Sequence, residues 1–166
     1  MAHDLDPENE NDYEKENDWE PHLPPRPTPP RYPSLAPMSD STPTAPQGEI
    51  VMRTLAMPGD ANANGDIFGG WLMSQMDLGG AVLARHTARS RVTTVAIDGM
   101  SFLNPVAVGD TVTCYAQLMK IGRTSMRICV EAWVQHYTND NHVRVTSGIF
   151  TYVAIDDAGR PHPVKR

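Results

Sequence analysis

Two features of this chain are placed so that they could do chemistry. A single carboxylate, Asp77, interrupts a run from Ile67 to Ala84 in which almost every other side chain is apolar or glycine, with Ser74 and Gln75 the remaining exceptions. A lone carboxylate in apolar surroundings is costly unless it is hydrogen-bonded. The position is therefore either a satisfied buried acid or a working general base or nucleophile. Eight and seven residues earlier stand Gly69 and Gly70. Glycines at the first turn of a helix let a ligand come against bare backbone N–H groups, and these donors with the helix dipole suit an oxyanion or a carbonyl oxygen. Seven residues span ~10 Å along a helix, so one chain cannot easily bring its own helix start and its own Asp77 to one reacting centre. Two antiparallel helices related by a two-fold axis can, giving two composite sites.

Other constellations fail on spacing. Asp60-Ala61-Asn62-Ala63-Asn64-Gly65 imitates the start of a calcium loop, but the position that must supply its bidentate acid is Trp71. Gly65, Gly69 and Gly70 do not make GxGxxG, no GK[ST] follows them, and there is no G-x-S-x-G. The six histidines lack metal-ligand spacing.

The elements that must hold Asp77 follow from periodicity. The apolar run reads as a buried helix. Asp66, just before it, can accept from the free N–H groups at its start. Arg85, His86 and Arg89 suit its C-terminal end. A membrane span is disfavoured by the central charge and the missing aromatic belts. Residues 49–56 can form a first strand, ended by Pro58-Gly59-Asp60, and residues 92–102 a second. Residues 111–121 alternate Val112, Cys114, Ala116 and Leu118 against Thr113, Tyr115 and Gln117. Residues 125–137 alternate Met126, Ile128, Val130, Ala132 and Val134 against Arg127, Glu131 and Gln135. The polar loop 138–141 leads to a last strand over 143–155. One long helix and one antiparallel sheet have a natural α+β solution, in which the sheet curls around the helix.

Composition divides the 166 residues near position 48. Residues 1–48 hold 11 of the 15 prolines and ten acids against Lys15, Arg26 and Arg31, a net charge of −7, while residues 49–166 are close to neutral. The first segment is expected to be a disordered tail, partly extended around its proline run, and the second a single domain. MAHDLDPEN has neither a basic nor an apolar region of a signal peptide, and its acidity argues against a mitochondrial presequence. Cys114 and Cys129 lack CxxC spacing and read as buried thiols of a reducing compartment, which predicts a cytoplasmic protein. An overall charge of −6 gives no expectation of nucleic-acid binding.

The blocks RTLAMPGDANANGDIFGGWLMSQMDLGGAVLA, MSFLNPVAVGD and FTYVAID closely resemble the YciA-type acyl-CoA thioesterases of the hotdog-fold superfamily, from residue 49 to the C-terminus. The resemblance implies a central helix wrapped by an antiparallel sheet, a homodimer with one continuous sheet, and a hexamer formed as a trimer of dimers. It implies hydrolysis of acyl-CoA to free acid and CoA without metal or added cofactor, coenzyme A being part of the substrate. It assigns the role of nucleophile or general base to Asp77, a catalytic asparagine from the partner's pre-helix loop to Asn62, and the oxyanion-binding N–H to Gly70 with Gly69 beside it. Coenzyme A is polyanionic, and the basic clusters are Arg85/Arg89/Arg91 and Arg123/Arg127. Arg123 with Ser125 is the expected phosphate contact, with Arg85 a further candidate, against the alternative of solvated surface arginines. Two other activities fit the fold: a non-catalytic acyl-CoA-binding or sensing domain, and a dehydratase, which would use a histidine near the helix. His86 lies past its apolar part.

Overall fold

Alternating apolar residues make the strands, and the computed structural model, which describes residues 45–136 and 142–164, orders them into one sheet. The expectations for the tail through residue 44 and for the loop at 138–141 lie outside the described residues. The elements are β1 (Glu49–Leu55), a 3-10 turn at Pro58–Asp60, α1 (Gly69–Ala88), β2 (Arg91–Asp98), β3 (Thr111–Ile121), β4 (Ser125–Gln135) and β5 (His142–Ile155). The sheet is antiparallel throughout, in the order β1-β3-β4-β5-β2, so β1 and β2 are its edges. Among the described residues no helix is long and apolar enough to cross a membrane.

The inner face of the sheet holds the core. Val112, Cys114 and Ala116 of β3, Met126, Ile128, Val130, Ala132 and Val134 of β4, and Phe150, Tyr152 and Ala154 of β5 are all buried, and α1 adds Leu72, Met76, Ala84 and Ala88. Close approach of helix to sheet depends on Gly79 and Gly80. A Cβ on Gly79 would lie 2.8 Å from a Val51 methyl, and one on Gly80 would lie 2.2 Å from the Tyr152 hydroxyl.

Four expectations change. The helix is not buried all round, because Met73, Leu78 (56% exposed) and Val82 are exposed, the last two side by side on the face turned away from the sheet. The sheet of one subunit wraps only one side of α1. Its N-cap is Phe68, without a side-chain cap, rather than Asp66; the Asp66 backbone is turned into the preceding loop by pairing with Asn62. The second strand ends at Asp98, and Gly99 follows with a positive φ of 27°. Glu131 does sit on the outer face, opposite the core, yet it is buried along with Thr113 and Trp133.

Candidate active site

Asp77 lies at the ninth position of α1, half-buried, where the helix crosses the ends of β2 and β5 that pair with each other. Thr94 of β2 and Tyr152 of β5 are directly opposite in register, and a bulge follows Thr94. The Thr94 hydroxyl donates to Asp77 Oδ1 at 2.6 Å. The Tyr152 hydroxyl donates to the Asp77 main-chain oxygen at 2.9 Å, with Oδ1 at 3.3 Å. Among the described residues no donor is placed on Oδ2. Burial, then the Asp77 charge and the hydrogen bond to it, push the Tyr152 phenol far up, so it stays a neutral donor. The carboxylate is thus anchored through one oxygen and open at the other.

The pre-helix loop is built around Asn62. Its side-chain oxygen accepts from the N–H groups of Asn64 (2.8 Å) and Asp66 (3.3 Å), and its main chain pairs with Asp66 and Gly65. With the oxygen held by two backbone donors, the exposed end of the amide is its NH2 group, a donor. Gly65, at φ 89°, closes the turn. Phe68 then turns the chain into α1, its own N–H bonded to the Asp60 oxygen at 2.9 Å.

At the helix start, no acceptor among the described residues meets the N–H groups of Gly69 or Gly70. A Cβ on Gly70 would collide with the exposed Phe68 ring, which would have to swing away, whereas one on Gly69 would make only ordinary contact with Phe102 at 3.4 Å. A cavity of about 200 Å3 opens beside them, lined by Ile67, Leu72, Phe102, Pro105, Val106 and Val145 with Asp66 and Asn104 at its polar edge. It is shaped for an apolar group whose polar end meets the N–H donors.

The basic candidates fall in separate places. Arg85 lines an open cleft of about 440 Å3 at the C-terminal end of α1, with Val82, His86, Arg89 and Ser90. Ser125 lines a cleft of about 240 Å3 with Lys120, Gly122, Arg127 and Thr151, in which Arg127 also binds Asp98 at 2.6 Å. Arg123 is exposed on the same turn but does not line that cleft. Cys114 is free and buried, its thiol pushed up to about 12 by desolvation, and Cys129 is free and half-buried, its thiol also raised.

Thr94 and Tyr152 are the functional residues that sequence reasoning missed. Both sit in alternating strands, where Thr reads as a solvent-side residue and Tyr as core. The signal that could have found them is the inner-face register of Tyr152 with Phe150 and Ala154, which aims its hydroxyl at the glycine pair after Asp77.

One long helix laid across a five-stranded antiparallel sheet, carrying an acid at its middle and bare N–H groups at its start, is the hotdog fold of thioesterases. The model of the thioesterase superfamily matches residues 64–138. The chain is 57% identical to the acyl-CoA thioester hydrolase YciA of Salmonella typhimurium over 122 residues, 72% of this chain and 92% of that one. The hexameric thioesterase y2039 from Yersinia pestis superposes with a TM-score of 0.71 at 56% identity, covering 74% of this chain and 100% of that one. An acyl-CoA hydrolase from Staphylococcus aureus, solved in complex with butyryl coenzyme A, superposes with a TM-score of 0.63 at 31% identity, covering 68% and 69%. The chain belongs to the YciA-type acyl-CoA thioester hydrolases.

Proposed function

We propose that this chain hydrolyses acyl-CoA thioesters to free acid and CoA at sites shared across a two-fold dimer, each combining Asn62 and Gly70 of one subunit with Asp77 of the other. The observation that carries this reading is the half-held carboxylate of Asp77: Oδ1 is fixed by Thr94 and Oδ2 is open, on a helix whose neighbouring apolar face is uncovered. In the dimer Leu78 and Val82 meet their equivalents, and each such side chain contributes about 1.5–3 kcal/mol when fully buried. The β2 edge, with Val95 and Ile97 exposed, continues the sheet into the partner. Three such dimers would make a hexamer, and the Yersinia pestis relative is hexameric.

The thioester carbonyl oxygen lies on the N–H of Gly70, flanked by Gly69, with the acyl chain directed into the apolar cavity beside Phe102. The Asn62 amide, left as a donor by its loop, points at the carbonyl or the attacking water. Asp77 Oδ2 takes a proton from water as the water oxygen bonds to the carbonyl carbon, or attacks that carbon itself to give an anhydride that water then opens. Negative charge gathers on the carbonyl oxygen against the helix N-terminus. Its return re-forms the C=O bond and breaks the C–S bond, releasing CoA thiolate. Only groups of this chain are needed. The CoA phosphates meet Ser125 with Lys120 and Arg127, and Arg123 on the same turn, with Arg85 as a further cation. The two free thiols suit a cytoplasmic setting.

Subunit exchange tests the composite site. Asn62→Ala and Asp77→Ala proteins, each inactive, are unfolded and refolded together, and thiol release from acyl-CoA is followed. In a mixed dimer one site carries both changes and the other neither, so random exchange restores about a quarter of wild-type activity. Silent mixtures with heterodimers confirmed by mass spectrometry would place both residues in one subunit's site.

A further inference from the structure

We propose that Tyr152 is a positioning residue for Asp77, made possible by Gly80, and that its hydroxyl together with that of Thr94 selects Oδ2 as the reacting oxygen. This rests on the catalytic reading of Asp77 above.

The geometry is specific. Tyr152 is fully buried on the inner face of β5, its ring packed alongside Phe150 (centroids 6.3 Å apart, planes 13° apart), so the hydroxyl has one direction to point. That direction is the backbone of α1, where a side chain on residue 80 would stand 2.2 Å from the hydroxyl oxygen; only glycine leaves the path open. The hydroxyl reaches both the main-chain oxygen and Oδ1 of the same residue. One proton serves both acceptors, which ties the carboxylate's rotation to the helix axis. Thr94, opposite Tyr152 across the β2–β5 pair, donates to the same Oδ1 from the other strand. Two hydroxyls on one carboxylate oxygen leave the other facing away from the sheet.

The electrostatics agree. A phenol pushed up by burial and by a neighbouring anion does not give up its proton in the working range, so Tyr152 acts as a donor throughout and never as a base. Among the described residues the titratable side chains on the inner face are Cys114 of β3 and Tyr152 of β5, and of these two only Tyr152 contacts the carboxylate; β1, β2 and β4 present Val, Met, Thr, Ile and Ala there.

The test is Tyr152→Phe in the full-length enzyme, which keeps the ring and removes the hydroxyl. Circular dichroism and sedimentation establish that it folds and assembles. The expected result is a kcat lowered by about 10-fold or more with KM within about two-fold. A residue that merely filled the core would leave kcat unchanged in Tyr152→Phe, since the ring that packs against Phe150 is kept. Wild-type kcat, or a lowered kcat with KM raised in proportion, would overturn the proposal. Should Tyr152→Phe fail to fold, Gly80→Ala, which pushes the hydroxyl off its acceptors, is read by the same two criteria. Asp77→Ala assayed beside it separates the two levels: turnover retained there sinks the catalytic reading itself, whereas a dead Asp77→Ala with an unaltered Tyr152→Phe sinks only the role of Tyr152.

Discussion

Asp77 and Glu131 are carboxylates on opposite sides of the same sheet, and their surroundings differ in one respect that decides what each can do. Glu131, 4% exposed on the outer face of β4, is engaged at both oxygens: Oε2 accepts from the Gln47 N–H (3.1 Å) and the Trp133 indole (2.9 Å), and Oε1 faces Arg144 at 3.4 Å. Asp77 is engaged at Oδ1 and open at Oδ2. A carboxylate compensated at both oxygens has nothing left to offer a substrate and ties chain segments together; one compensated on a single side is held still and remains reactive. The lesson is that burial alone does not mark a catalytic acid. Glu131 is the more buried of the two.

The largest effect expected from this contrast comes from Asp77→Asn, which keeps the shape and removes the charge. Turnover should fall by about 10²–10⁴-fold with the circular dichroism spectrum retained, and a fall of less than about 10-fold would erase the distinction between the two acids. Glu131→Ala should show the reverse pattern. It strands Arg144 and two N–H donors, at a cost of about 3–5 kcal/mol, seen as a melting temperature lowered by on the order of 10 °C. The folded fraction should keep kcat within about two-fold; a specific loss of turnover would mean that the outer face feeds the site. The smallest effect concerns a buried acid with no hydrogen-bond partner among the described residues. The Cys114 thiol ionises at 9.0 in the unfolded chain and at about 12 when folded. Below pH 9 both states are neutral and the thiol has no influence on stability; above it the unfolded state sheds its proton first, so stability declines from pH 9 towards 12. Relative to Cys114→Ala, the wild type should lose on the order of 1 kcal/mol by pH 10, measured by urea denaturation. Parallel curves would show that this part of the inner face is wetter than the packing around Gly79 implies.

Much of this arrangement was legible before the structure. The bounds of β3 were read as found, and β4 and β5 within two residues, because period-two alternation is a local property with one solution. Asp77 stood out because an acid among apolar residues is locally anomalous. The Asp66 cap was misread because a short acid before a helix is a good local candidate, whereas here Asn62 has folded the loop so that Phe68 occupies the cap. Glu131 was assigned to the correct face but not recognised as buried, since its cover comes from Gln47, 84 positions away, and from Arg144 on the next strand.

The sequence by itself determined the strands, the helix, the glycines at its start and middle, and the family to which they belong, because each is written in residues close together along the chain. The tertiary structure alone decided which oxygen of Asp77 is held. That required Thr94, 17 positions on, and Tyr152, 75 positions on, to be brought opposite each other by the pairing of β2 with β5, and required a glycine at position 80 to admit the phenol. Strand register is a property of the whole sheet, and no local pattern around Asp77 encodes it.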